Sequence, residues 1–178
     1  MYEENAVLHA LCTRRSVRSY DSTKPVEQEK IQAVLTAGQY APTGMNRMPT
    51  KFLVIRNPEM LHQLSKQNAE IMGAADRDPF YGAPVAILVL VDSTVHTWVE
   101  DGSLAMGAML NAAYAVGLGS CWIHRARETF DSEAGKALLK QWGIPETYRG
   151  VGFCILGYAA GELPQPKPRK DNQILWIN

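Results

Sequence analysis

With 178 residues, 46% of them hydrophobic and 20% charged, the chain is long enough to bury one core and too apolar to stay disordered. Its 18 basic residues balance 18 acidic ones, so no broad basic face for nucleic acid is expected. The longest apolar run, PVAILVLV (84–91), is too short to cross a bilayer, and MYEENAVLHALC has no basic segment followed by an apolar one, as a secretory signal would. Cys12, Cys121 and Cys154 form no metal or disulfide pattern, which agrees with a cytoplasmic protein.

In chain order, Ala6, Val7, Ala10 and Leu11 make an apolar helical stripe that runs into CTRRSVRS (12–19), three arginines around Ser16. Pro25, Glu27 and Glu29 open a second helix, with Ile31, Val34 and Leu35 facing inward and an end near Gly38. APTGMNRMPT (41–50) is a turn-rich loop, KFLVI (51–55) a strand, and RNPE the turn into a helix reaching about Met72. GAADRDPFYGAP (73–84) reads as a surface loop. VAILVLV (85–91) lacks alternation and is predicted to be a central strand covered on both faces.

A helix over 100–116 carries Ala105, Ala108, Ala112 and Ala115, small enough for another helix to approach. Glu100 and Asp101 fit its start, where the macrodipole favours acids. CWI (121–123) is strand-like, Ser132–Trp142 is a helix, and VGFCILGY (151–158) is a last buried strand. The remainder is a proline-spaced arm ending in ILWI. An apolar end on a polar tether is expected to dock on a sheet edge, its own or a partner's. The fold class is α+β, with about four core strands among helices and no internal repeat.

The chain has no GxSxG, GxxxxGK[ST], HExxH or GxGxxG, and its four histidines lack metal-ligand spacing. What it offers instead is anion and amide ligands. Arg14, Arg15, Ser16 and Arg18 present guanidinium forks and a hydroxyl to a phosphate, and Lys167-Pro168-Arg169-Lys170 in the arm is a second cationic piece whose Lys167 and Arg169 point the same way. Pro42-Thr43-Gly44-Met45-Asn46 is a glycine-relaxed turn whose Asn46 can donate and accept at the edge of a heterocycle.

As an ordered set, R-R-S-x-R, A-P-[ST]-x-x-N, G-L-G-[ST]-x-x-I after an Ala-rich helix, LGY (156–158) and K-x-R resemble the nitroreductase family of flavoproteins, from about Thr13 to Arg169. The resemblance implies an α+β fold with a mixed central sheet of four core strands flanked by helices, and a fifth strand exchanged from the partner's C-terminus. It divides the chain into one FMN-binding domain, 1–162, and an arm, 163–178, wrapping on the partner of a homodimer. It implies non-covalent FMN at the subunit interface and NADH or NADPH as transient donor. A flat, electron-poor acceptor such as a nitroaromatic or quinone would follow through the same slot, in ping-pong order.

By position, the resemblance implies that Arg14, Lys167 and Arg169 hold the phosphate, and that Arg15 and Ser16 lie on the phosphate and ribityl side. Arg18 falls near the pyrimidine edge of the ring, where a cation stabilises reduced flavin. Pro42, Thr43, Gly44 and Asn46 match the loop against the partner's ring, and Asn68 an amide touching it. Trp122, Ile123, His124 and Arg125 match the segment beside flavin N5. There backbone N–H groups act whatever the side chains, and His124 is either a proton donor or a ring neighbour. The chain departs from the family's N-x-Q-P-W with Asn46-Arg47-Met48-Pro49-Thr50, and from P-I-E-G at 122–125, which bears on substrate preference. A non-catalytic FMN-binding module stays open, as do dehalogenase, enoate reductase or flavin-destructase chemistry within the family. The short 72–83 segment favours a general reductase.

Overall fold

The computed structural model describes residues 4–177. Helix α1 (Ala6–Thr13) starts at Asn5, whose side chain accepts from the N–H groups of Val7 and Leu8, each at 3.0 Å. Helix α2 (Gln28–Gln39) follows, then strand β1 (Thr50–Ile55). Asn57 and Pro58 together start α3 (Pro58–Ile71), the first as cap and the second in the opening turn. Strand β2 (Val85–Asp92), helix α4 (Trp98–Ala115) and strand β3 (Gly119–Ile123) form the middle of the chain. Helices α5 (Ala126–Asp131) and α6 (Glu133–Gln141) and strand β4 (Tyr148–Gly157) complete it.

The strands lie in the order β1-β2-β4-β3. β2 is buried along almost its whole length, as its unbroken apolar run requires, because helices cover both sheet faces. On one face Leu88, Leu90, Phe153 and Ile155 meet Leu61 and Leu64 of α3, Phe130 of α5 and Leu139 of α6. On the other, Ile87, Val89 and Cys154 meet Ile31 and Val34 of α2 and Met106 and Met109 of α4. Each fully enclosed Leu or Ile contributes about 1.5–3 kcal/mol.

Four core strands flanked by helices match the expected fold. All three ladders are antiparallel, however. Among the described residues, the parallel pairing that a mixed sheet implies is limited to one bridge, Ser16 to Ser120. The short α5 has no counterpart among the expected elements, since six residues carry too little periodicity to read. Ala105 is buried inside its own protomer, whereas Ala115 and Leu104 are exposed on α4. Only Ala10 of α1 is buried; Val7, Leu8 and Leu11 remain exposed. No helix of the described residues is long and apolar enough to cross a membrane.

Candidate functional site

The arginine-rich segment lies along the outer edge of β3. Arg14 caps the C-terminus of α1, its N–H donating to the Ala10 carbonyl at 3.0 Å. Ser16 then bridges to Ser120, and the Val17 N–H donates to the Ser120 carbonyl at 2.9 Å. This close approach depends on Gly119, where a Cβ would lie 2.8 Å from Val17 Cγ2. Arg15 folds back so that Nη1 donates to the carbonyls of Cys12 and Arg14, at 2.9 and 2.6 Å, while its Nε is buried without a partner. A hollow of about 220 Å³ is lined by Arg15, Gly117, Gly119, Ser120 and Leu163. The first arginine segment, the GLGS turn and the root of the arm therefore share one concavity. Arg18 is exposed nearby.

β3 ends in a strap, Trp122–Arg125. Ile123 is buried and His124 exposed, and Trp122 is half-buried with its indole N–H enclosed and unpartnered. Arg125 adopts φ 72° and ψ 11°, the left-handed region that a side chain resists at a cost of about 1–3 kcal/mol. Neighbours impose this conformation. Buried Asn68 of α3 donates Nδ2 to the His124 carbonyl at 2.7 Å, and the Arg125 carbonyl accepts from both N–H and Oγ1 of Thr129 at 2.9 Å. The carbonyls of His124 and Arg125 are thus engaged from the protein side, while the Arg125 N–H bonds to none of the described residues. The Arg125 side chain reaches Glu128 at 3.4 Å.

The loop of Pro42, Thr43, Gly44 and Asn46 is fastened to the start of α4. Asp101 is 2% exposed and accepts from the Gly44 N–H at 2.8 Å and from the Thr97 hydroxyl at 3.0 Å. A Cβ on Gly44 would lie 2.3 Å from Thr97 Oγ1, so only glycine allows this approach. The Met48 N–H donates to Thr43 Oγ1 at 3.1 Å. Between these ties Met45, Asn46 and Met48 all have positive φ, 54°, 55° and 48°. Pro42 and Asn46 are exposed at the loop surface.

Lys167 and Arg169 lie in the exposed arm, with no hydrogen bond or ion pair to the described residues. Among those residues no group of three His, Cys, Asp or Glu side chains is placed to hold a metal ion.

Residues 11–158 match the sequence profile of the nitroreductase family. The chain belongs to the nitroreductase family. A relative in Methanothermobacter thermautotrophicus, named provisionally as an NADH dehydrogenase/NAD(P)H nitroreductase, is 38% identical over 86% of this chain and 78% of its own length. Among solved structures, a nitroreductase with bound FMN from Bacteroides fragilis superposes with a TM-score of 0.88 at 30% identity. It covers 98% of this chain and all of the other, 100%. One from Desulfitobacterium hafniense, also with bound FMN, gives a TM-score of 0.85 at 25% identity, covering 98% and 99%.

Within this nitroreductase-family chain, sequence reasoning overlooked two residues that shape the site. Asp101 reads as an acid at a helix start, yet it closes a contact across 57 positions. Thr129 lies on α5, which has no counterpart among the expected elements. Asp101 has no local signal, because it acts on backbone brought near by the fold, whereas Thr129 bonds the carbonyl four residues before it on a helix too short to show a period. Asn68, expected at the ring, has its amide N–H on the strap and its Oδ1 buried without a partner.

Proposed function

We propose that the protein is a cytoplasmic, homodimeric FMN-dependent NAD(P)H oxidoreductase of the nitroreductase type. One observation carries the fit to FMN. Buried polar atoms are nearly always paired, yet six described side-chain atoms are not. Three of them, Arg15 Nε, Asn68 Oδ1 and Trp122 Nε1, belong to the residues expected around the flavin. Arg15 lines the hollow at the outer edge of β3, Asn68 reaches the strap from α3, and the Trp122 indole nitrogen lies over Gly152 of β4. The FMN bound by the Bacteroides fragilis relative supports the same reading.

Arg14, Arg15 and Ser16, joined by Lys167 and Arg169 of the arm, would hold the phosphate with charge-assisted hydrogen bonds. Arg18 would offset negative charge at the pyrimidine edge. The strap, kept in place by Asn68 and Thr129, would present its backbone N–H groups to N5. Pro42, Thr43, Gly44 and Asn46 would close the opposite side from the partner subunit. When bound, FMN supplies two-electron chemistry, oxidising NADH or NADPH and reducing a flat acceptor such as a quinone or nitroaromatic. Exposed His124 is the proposed proton source for the reduced acceptor, and it has no buried partner to satisfy first.

The dimer rests on uncovered apolar surface. Val7 of α1 is 68% exposed, Leu104 of α4 50% and Ile177 of the arm 89%, apolar side chains that a partner subunit would cover. The outer edge of β3 is occupied by Ser16 and Val17, so β1 is the sheet edge open to an exchanged arm, 163–178, on the domain formed by 1–162. The test is direct. The purified protein should be yellow, and anaerobic NADH or NADPH should bleach it until a quinone or nitro compound restores the colour. Bound FMN that neither donor bleaches would leave a non-catalytic flavin-binding module.

A further inference from the structure

Two guanidinium groups share one indole ring beside the strap. The guanidinium carbon of Arg127 lies 4.6 Å from the ring centroid of Trp98, and that of Arg149 lies 5.6 Å away. Arg149 is held by Asp131, its Nε 3.0 Å from Oδ1 and its Nη2 on Oδ2, so its charge is already matched. Arg125 is matched by Glu128. Arg127 has no carboxylate partner among the described residues and is exposed. It lies two residues beyond Arg125 on α5, which leaves directly from the strap.

Stacking uses the face of a guanidinium and leaves its in-plane N–H donors open. Trp98 therefore restrains Arg127, whose guanidinium lies over the ring and makes no hydrogen bond to the described residues. A flexible arginine would lose rotamer entropy on binding an anion, and this one is already partly ordered. A donor nucleotide also brings phosphates that this fold must accommodate. The chain lacks the GxGxxG turn that places pyrophosphate on a helix N-terminus, so side-chain cations are left to meet them. Arg14, Arg15, Lys167 and Arg169 are assigned to the flavin phosphate.

We propose that Arg127, stacked on Trp98 beside the His124–Arg125 strap, is the subsite for a phosphate of the pyridine nucleotide donor. The proposal rests on the oxidoreductase reading above, and it names the part of the substrate this end of the site grips. The phosphate is either the 2′-phosphate of NADPH or the pyrophosphate common to both donors, and the two are separable.

The experiment compares flavin-loaded wild type with Arg127→Ala, Arg127→Lys and the surface control Arg77→Ala. Initial rates are measured with NADPH and with NADH, and calorimetry follows 2′,5′-ADP and ADP. Contact with the 2′-phosphate predicts a KM for NADPH raised about tenfold in Arg127→Ala, with NADH barely changed and 2′,5′-ADP binding lost. Contact with the pyrophosphate predicts that both KM values rise together and that ADP binding weakens. Arg127→Lys should recover part of either loss, since it restores charge without the planar stack. Unchanged KM for both donors, or a change shared by Arg77→Ala, overturns the proposal. Should wild type oxidise neither donor, the oxidoreductase reading fails by itself. Calorimetry then decides the subsite: it survives only if Arg127→Ala abolishes nucleotide binding seen in wild type.

Discussion

Cys154 shows how far one side chain can be set by its surroundings. Its thiol is enclosed between β2, β3 and α4, and burial, reinforced by the nearby Cys121 thiol and opposed by Arg14, pushes its pKa from 9.0 up to about 12. Burial moves the Tyr20 phenol in the same direction. The folded state keeps a proton that the unfolded state sheds near pH 9, so this contribution is complete below pH 9 and fades as pH rises toward 12. The urea midpoint should therefore fall between pH 9 and 11. In Cys154→Ala it should fall less, relative to that variant's own value at pH 7. Parallel pH profiles for the two proteins would contradict this account. At this scale the sequence disclosed residue types but not environments: nothing in LGY or FCIL marks one thiol as sealed, and nothing around Asn68 tells a ring contact from a strap support.

At the scale of elements, the 43–48 loop depends on α4. Replacing Asp101 by alanine would leave the half-buried Gly44 N–H and Thr97 hydroxyl without their partner, at a cost of about 1 kcal/mol in unfolding free energy. The three positive-φ residues would then have less to hold them, and exposed Arg47 offers trypsin a cut site among them. Asp101→Ala should be cleaved after Arg47 several-fold faster than wild type, in native conditions. Equal cleavage rates would show that the loop holds itself. The strands and long helices were legible because burial on one or two faces imposes a period. α5 was not, since six residues carry too little period, and neither was the strap turn, which Asn68 of α3 holds from outside.

For the whole molecule, the uncovered faces of α1 and α4 and the apolar end of the arm predict assembly. Removing residues 172–178 should convert a stable dimer into one that dissociates at micromolar concentration in sedimentation velocity. A truncated chain that sediments as an unaltered dimer would assign the interface to the helices alone. FMN content should drop in the same truncated chain if the arm's position is what brings Lys167 and Arg169 to the phosphate, and both can be read from one preparation.

The sequence by itself determined the α+β class, the doubly covered central strand and the family. Periodicity and an ordered set of short motifs survive in one dimension, because each reports a local need for burial or for charge. Only the tertiary structure decided that Asp101 fastens the 43–48 loop, that Asn68 and Thr129 bend the strap, and that Arg127 stacks on Trp98. Those contacts join segments far apart or poorly patterned, and their energies depend on distance in space, which the order of residues does not encode.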